Sequence, residues 1–308
     1  MKSIYFILFT ILAVSCSKTD KMPPIDNAVD LDGTVINDSS LAYPSHFLQS
    51  ARTNTPSELE KNTPVYLCVH GYSATTFEWI EFRDFVKQKG GATTSLVLLG
   101  GHGRDYADFK SASWKDWQAT ILDEINKLTQ LGYKNLYLVG SSTACSLILD
   151  ALNASKLPTT IKGIYFIDPI IVPSNKTLSL VNGVGPMLGY TTTEFETGEV
   201  GFWYKYRPYQ SLKQLNTVTQ EVRKQLEAGI ACSVPLTVYK SSKDGSADPI
   251  SAVLIDKGIK MNENVTKNIE MIESELHVFT RLRGRNSITT KDIENQQSVF
   301  NKLINASK

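Results

Sequence analysis

A chain of 308 residues with 42% hydrophobic and 20% charged side chains can bury a large core, which excludes wholesale disorder, collagen and coiled coil as its organising principle. Its 32 Lys and Arg against 31 Asp and Glu leave a formal charge of +1, so no basic surplus exists to neutralise phosphates and nucleic acid is not an expected partner.

Lys2 precedes an apolar run from Ile4 to Val14, broken only by Thr10. The run is too short to span a bilayer and has the layout of an export signal, a positive start followed by an apolar stretch of about 7–15 residues. It closes on Ala13-Val14-Ser15-Cys16, which resembles a bacterial lipobox. The resemblance implies cleavage before Cys16, lipidation of Cys16, and an exported lipoprotein anchored to a membrane on its periplasmic or cell-surface side. Residues 1–15 are then a signal peptide. Residues 16–40, with Pro23-Pro24 and many Asp, Asn and Ser, have the composition of a flexible, solvated tether. Cys68, Cys145 and Cys232 are odd in number and widely spaced, which suits buried thiols and no disulfide framework. No metal site and no cofactor is expected.

From residue 64 onward, short apolar runs at 65–69, 95–99, 135–139, 163–167 and 236–239 read as strands covered on both faces, with a weaker sixth at 269–272. Between the second and third, Trp114, Trp117, Ile121, Ile125 and Leu128 recur every three or four positions. Ser113 with Asp116 marks the start of that helix and Gly132 its end. Residues 76–89 and 290–304 read as further helices. Alternating strands and helices predict an α/β fold with a mostly parallel sheet flanked by helices, whose ligands sit beyond the strands' carboxyl ends.

The third strand runs into Val139-Gly140-Ser141-Ser142-Thr143-Ala144, a strand, a turn of small residues and a helix. A nucleophile on such a strained turn needs small residues two positions before and two after it, so that strand and helix can pass closely. Around Ser142 those positions are Gly140 and Ala144; around Ser141 they would be the β-branched Val139 and Thr143. Spacing therefore favours Ser142. The segment resembles the nucleophile elbow Gly-x-Ser-x-Gly of the α/β-hydrolases, with Ala144 in place of the last Gly.

Further motifs carry the same resemblance. Val69-His70-Gly71-Tyr72 closes the first strand, and Gly100-Gly101-His102-Gly103 follows the second. The resemblance implies an oxyanion hole made by the backbone N–H groups of Tyr72 and Thr143. It also implies the chain order Ser, acid, His; of the four histidines, His46, His70, His102 and His277, only His277 follows Ser142. Asp248, in the loop after the strand at 236–239, is the first choice for the acid, with Asp244 in the same loop and Asp168 after the preceding strand as alternatives.

The stretch between Asp168 and Leu236 far exceeds the usual connection of about 2–6 residues. It divides the chain into a core of 41–169 with 236–308 and a cap insertion of 170–235. The insertion carries Phe195, Phe202-Trp203-Tyr204, Tyr206 and Tyr209, with Pro186, Gly183, Gly185 and Gly189 near its start, which suggests a small-molecule ester with an acyl or aryl portion as substrate. The resemblance is closest to the monoacylglycerol lipase and carboxylesterase branch and implies a serine hydrolase acting through an acyl-enzyme. The same triad serves amide or peptide hydrolysis. The departures at Ser141 and Ala144 admit, as the alternative class, a non-catalytic ligand-binding protein on this fold.

Overall fold

The computed structural model describes residues 21–24, 55–174, 187–194 and 196–307. The signal, Cys16, most of the tether, and Phe195, Gly183, Gly185 and Pro186 of the insertion lie outside the described residues.

Helix α1 (Glu58–Asn62) leads into β1 (Val65–Val69), a 3-10 turn (Thr76–Trp79) and α2 (Ile80–Lys89). Then come β2 (Thr93–Val97), α3 (Tyr106–Ser111), α4 (Trp114–Gln130), β3 (Leu136–Ser141), α5 (Thr143–Asn153) and β4 (Ile161–Ile167). The insertion contributes β5 (Tyr190–Thr192), β6 (Tyr206–Pro208), α6 (Tyr209–Ala228) and β7 (Ile230–Cys232). The chain closes with β8 (Leu236–Ser241), α7 (Ile250–Gly258), β9 (Ile259–Met261), β10 (Lys267–Ile272) and α8 (Thr290–Asn305). The segment expected as one helix over 76–89 is thus split, because residues 76–79 wind as a tighter 3-10 turn that sends the Trp79 indole N–H to Val69 O at 3.0 Å.

Six strands form one sheet in the order β10-β8-β4-β3-β1-β2, every neighbouring pair parallel. Parallel strands need both faces covered, and the side chains alternate accordingly. Val65, Leu67 and Val69 of β1 pack with α4, α5 and α6 through Trp117, Ile125, Leu147 and Val218. Tyr66 and Cys68 point to the opposite face with Phe82 of α2 and Val299, Phe300 and Leu303 of α8. The amphipathic stripe read at 114–128 is the buried face of α4, and its start is the expected capping box, Ser113 N donating to Asp116 Oδ2 at 2.8 Å and Asp116 N to Ser113 Oγ at 3.3 Å. Cys68, Cys145 and Cys232 are buried free thiols; burial pushes all three up from the usual thiol range.

Strand order reverses between β1 and β3: the chain steps from β1 outward to β2, then returns to place β3 on β1's other side. Such a switch leaves a crevice at the strands' carboxyl ends. Register carries the argument to single residues. Val69 pairs with Gly140, Ser141 with Ile167, and Ile167 with Tyr239. One step beyond Ser141, Ile167 and Tyr239 lie Ser142, Asp168 and Lys240 in one row, with His70 one step beyond Val69 and so level with Ser141, which gathers polar residues at the carboxyl ends of these strands.

Within the insertion, α6 buries Leu215, Val218, Val222 and Leu226 in the main core, while β5 and β6 form a separate antiparallel ribbon. The aromatic residues preceding β6 pack the insertion onto the body. Tyr204 stacks on Phe109 with centroids 4.0 Å apart and Phe202 stacks on Phe77 at 3.9 Å. The Tyr204 hydroxyl also accepts from Arg104 N at 2.9 Å, with the carbonyls of Arg104 at 2.5 Å and Gly101 at 3.1 Å as acceptors for its proton. Replacing Tyr204 by Phe keeps the stacking but removes the hydroxyl's hydrogen bonds to the Arg104 and Gly101 backbone, at a cost of about 0.5–1.5 kcal/mol; chemical denaturation of Tyr204→Phe should report that loss, and unchanged stability would mean the hydroxyl does not hold the insertion down.

Candidate active site

Ser142 occupies the single residue between β3 and α5, with φ 50° and ψ −115°. That is a strained region for a residue with a Cβ, and strain of this kind persists only where the surroundings impose it. Two close approaches do so. A Cβ on Gly140 would lie 2.9 Å from Ile148 Cδ1 and 3.4 Å from the Ala144 Cβ, so the strand passes the helix with room for Gly before and Ala after the serine. A Cβ on Gly71 would lie 2.9 Å from Ser142 Cβ, so the loop after β1 lies directly against the elbow.

The structure brings Ser142 and His277 together, with Nε2 of the imidazole 2.9 Å from Ser142 Oγ. Its other nitrogen, Nδ1, is 2.7 Å from Asp244 Oδ2. Asp248, the first choice from sequence, is not the partner of His277. Its Oδ1 accepts from Ile250 N at 2.9 Å and its own N–H donates to Val172 O at 2.9 Å, so it serves the start of α7. The reason is local turn chemistry. Oδ1 of Asp244 accepts from Ser246 N at 2.7 Å and Ala247 N at 3.0 Å, closing a tight turn that turns the chain away before it reaches Asp248 and leaves Oδ2 of Asp244 for His277. Asp168, the third alternative, is a fully buried brace. Its Oδ1 accepts from Ser241 N at 2.7 Å and its Oδ2 accepts from Phe279 N at 3.1 Å, while Ser241 Oγ donates to Leu276 O at 2.8 Å. Asp168 and Ser241 thereby grip the His277 loop on both sides.

One residue of this cluster carried no sequence signal. Lys240, 0% exposed, extends its ammonium to Asp244 Oδ2 at 2.5 Å and Asp168 Oδ1 at 3.2 Å. Burial alone would raise the Asp244 carboxyl, but the hydrogen bond and charge of His277 and the charge of Lys240 outweigh it and hold the group down at about 2. Asp168, Asp244 and His277 place three ligand-type atoms within 4.8 Å of one another, yet the Lys240 ammonium already fills the cation's place, so the donor set suits an ion-pair network and not a metal centre.

The oxyanion expectation has a geometric counterpart. The N–H groups of Tyr72 and Thr143 donate to no acceptor among the described residues, although both follow residues packed against each other, Gly71 and Ser142. Ser141 Oγ points the other way, toward Val69 O at 3.1 Å and the carboxylate of Glu78. His70 and His102 are buried supports. Leu99 N donates to His70 Nε2 at 3.0 Å, which puts the ring proton on Nδ1 facing Gly71 O at 2.8 Å; burial lowers His70 to about 4, and lowers His102 well below the usual imidazole range.

No protein-family model matches the chain. The thermostable monoacylglycerol lipase of Bacillus sp. strain H-257 is 26% identical over 231 residues, which cover 71% of this chain and 85% of that protein. A solved structure from work on the metagenome-derived lipolytic enzymes LipS and LipT superposes with a TM-score of 0.64 at 20% identity, covering 80% of this chain and 94% of its own. This is an α/β-hydrolase fold. A soluble variant of the monoglyceride lipase of Saccharomyces cerevisiae in complex with a substrate analog matches it at a TM-score of 0.61 and 13% identity, over 85% of this chain and 89% of that one. The chain is thus similar in sequence to a monoacylglycerol lipase and shares its fold with these lipolytic proteins. Among its described residues no helix is long and apolar enough to cross a membrane.

Two outcomes follow for this site. Asp244→Asn should slow reaction of Ser142 with a serine-directed phosphonate on the order of 1,000-fold or more, the scale of losing a triad acid, while Asp248→Asn changes it less than about threefold; the reverse ranking, at equal folding, would return the acid to Asp248. Lys240→Met should cost about 3–5 kcal/mol in denaturant unfolding, because it strands two buried carboxylates without their cation.

Proposed function

We propose that the protein is a serine hydrolase cleaving carboxylic esters of the lipid, monoacylglycerol or lysophospholipid kind through an acyl-enzyme on Ser142. The observation that carries this reading is the His277 imidazole spanning Ser142 Oγ at 2.9 Å and Asp244 Oδ2 at 2.7 Å. His277 Nε2 takes the Ser142 proton as Oγ attacks the ester carbonyl carbon, and Asp244, ionised because its carboxyl is held down at about 2, fixes the Nδ1–H tautomer and stabilises the imidazolium. The Tyr72 and Thr143 N–H groups receive the oxyanion of the tetrahedral intermediate. Collapse breaks the bond to the alcohol oxygen, which leaves with the proton from His277. Water activated by the same imidazole then releases the acid and restores Ser142.

The choice of ester rests on the similarity to monoacylglycerol and monoglyceride lipases. The aromatic residues of the insertion support it less than their number suggests, since Trp203 and Tyr204 are buried against the body. A fluorophosphonate probe should label the wild type and Ser141→Ala but not Ser142→Ala, and His277→Ala should abolish turnover of p-nitrophenyl esters. A folded wild type that takes no label would favour the ligand-binding alternative, and turnover of an anilide at the rate of the matching ester would favour the amidase.

The Ala13-Val14-Ser15-Cys16 motif supports placing this hydrolase on a membrane surface by a lipid on Cys16, on the exported side. Cys16→Ala should then move the protein from the membrane fraction to the soluble one; an unchanged distribution would remove the anchor from this reading.

A further inference from the structure

Of the buried carboxyls that the proposed chemistry does not use, Glu78 is the one that lies against the elbow. Glu78, in the 3-10 turn Thr76–Trp79, is 6% exposed and lies directly behind the elbow. A single oxygen, Oε1, accepts the Gly71 N–H at 2.9 Å and also meets Ser141 Oγ. Ser141 Oγ has one proton and two acceptors in reach, Val69 O at 3.1 Å, which also receives the Trp79 indole N–H at 3.0 Å, and Glu78 Oε1, which is the nearer of the two. Among the described residues Glu78 has no ion-pair partner: Arg281, whose charge reaches it, is paired with Glu199 at 2.5 Å. Burial pushes the Glu78 carboxyl up, with the hydrogen bonds from Ser141 and Gly71 acting against it. A carboxyl kept in so dry a place is costly unless its hydrogen bonds are made, and the two made here go to the residue before Tyr72 and the residue before Ser142.

We propose that Glu78 is a positioning residue of the oxyanion site: its Oε1 ties the loop after β1 to the elbow, so that the Tyr72 and Thr143 N–H groups converge on one point. The inference rests on the hydrolase reading above. Elsewhere in the loop Gly71 O faces His70 Nδ1 at 2.8 Å, Ser73 O accepts from Tyr204 N at 2.9 Å and the Tyr72 phenol oxygen lies 2.6 Å from Ser211 Oγ; among the described residues, the polar link from this loop to Ser141 runs through Glu78 Oε1. Without Glu78 the Gly71 N–H loses its acceptor and the loop loses its polar link to Ser141, and a donor misplaced by about 1 Å forfeits on the order of 100-fold in rate.

The test is steady-state kinetics on a soluble p-nitrophenyl ester, scaled to sites labelled by fluorophosphonate, for Glu78→Leu, Glu78→Gln, Ser141→Ala and Glu78→Leu with Ser141→Ala. Wild-type labelling and its loss in Ser142→Ala report separately on the hydrolase reading. Glu78→Leu should lower kcat about 30-fold or more with KM within about twofold, and weaken an alkyl trifluoromethyl ketone, whose adduct carries the oxyanion, in proportion. Glu78→Gln keeps an oxygen that accepts both hydrogen bonds and should stay within about threefold of wild type. Ser141→Ala should cost about 5–10-fold in kcat alone and add nothing in the Glu78→Leu background, the non-additivity expected of one shared link. The proposal is overturned if Glu78→Leu changes KM instead of kcat, if Glu78→Gln loses as much as Glu78→Leu, or if the Ser141 and Glu78 effects simply add. Should Glu78→Leu not fold, Glu78→Gln and Ser141→Ala decide alone: a Gln variant as impaired as a typical oxyanion-donor deletion, or a Ser141→Ala variant with unchanged kcat, refutes it.

Discussion

An ammonium at the dry edge of the sheet, Lys240 Nζ, touches Asp244 at 2.5 Å and Asp168 at 3.2 Å, and most of the site's geometry depends on that contact. Two buried carboxylates side by side repel. The cation between them offsets that repulsion, and each carboxylate does different work. Asp244 offers an oxygen to His277, while Asp168 accepts from Ser241 N and Phe279 N, so the strand that leads to Asp244 and the loop that carries His277 are clamped to the same carboxylate. A buried ion network is weak evidence of net stability. Its value here is that three loops from three strands have one compatible arrangement.

The second constraint is steric. Gly71, Gly140 and Ala144 let β1, β3 and α5 approach within the width of a side chain, and the cost of that approach is the positive φ of Ser142. The strain is maintained by apolar burial on both sides of the sheet, since Val139, Cys145, Leu147 and Ile148 are all about fully buried. Packing thus sets the direction of the hydroxyl, and electrostatics sets what faces it. Glu78 belongs to both, as a polar link inside the close-packed junction.

The insertion divides its labour in a way that residue counts do not suggest. Helix α6 completes the core, and the rings of Phe202 and Tyr204 stack on Phe77 and Phe109, so the aromatic run that looked like a ligand surface is largely an anchor. Stacking of this kind fixes the base of the insertion relative to the elbow.

Local patterns were enough, in sequence alone, for the six strands, the helix at 114–130 with its capping box, the elbow at Ser142 and the pairing order with His277. Hydrophobic period, cap residues and small-residue spacing act over a few positions, and each is written where it acts. The carboxylate that meets His277 is not legible in this way: Asp244 and Asp248 stand four apart in one loop, and the choice depends on a turn closed by the N–H groups of Ser246 and Ala247, which leaves no periodic trace. Lys240 reads as a polar interruption at the end of a strand, and Glu78 as an acidic residue in a helix's first turn. Their roles appear only when the register aligns β1, β3, β4 and β8, because a buried charge is explained by partners that are distant in the chain and adjacent in space.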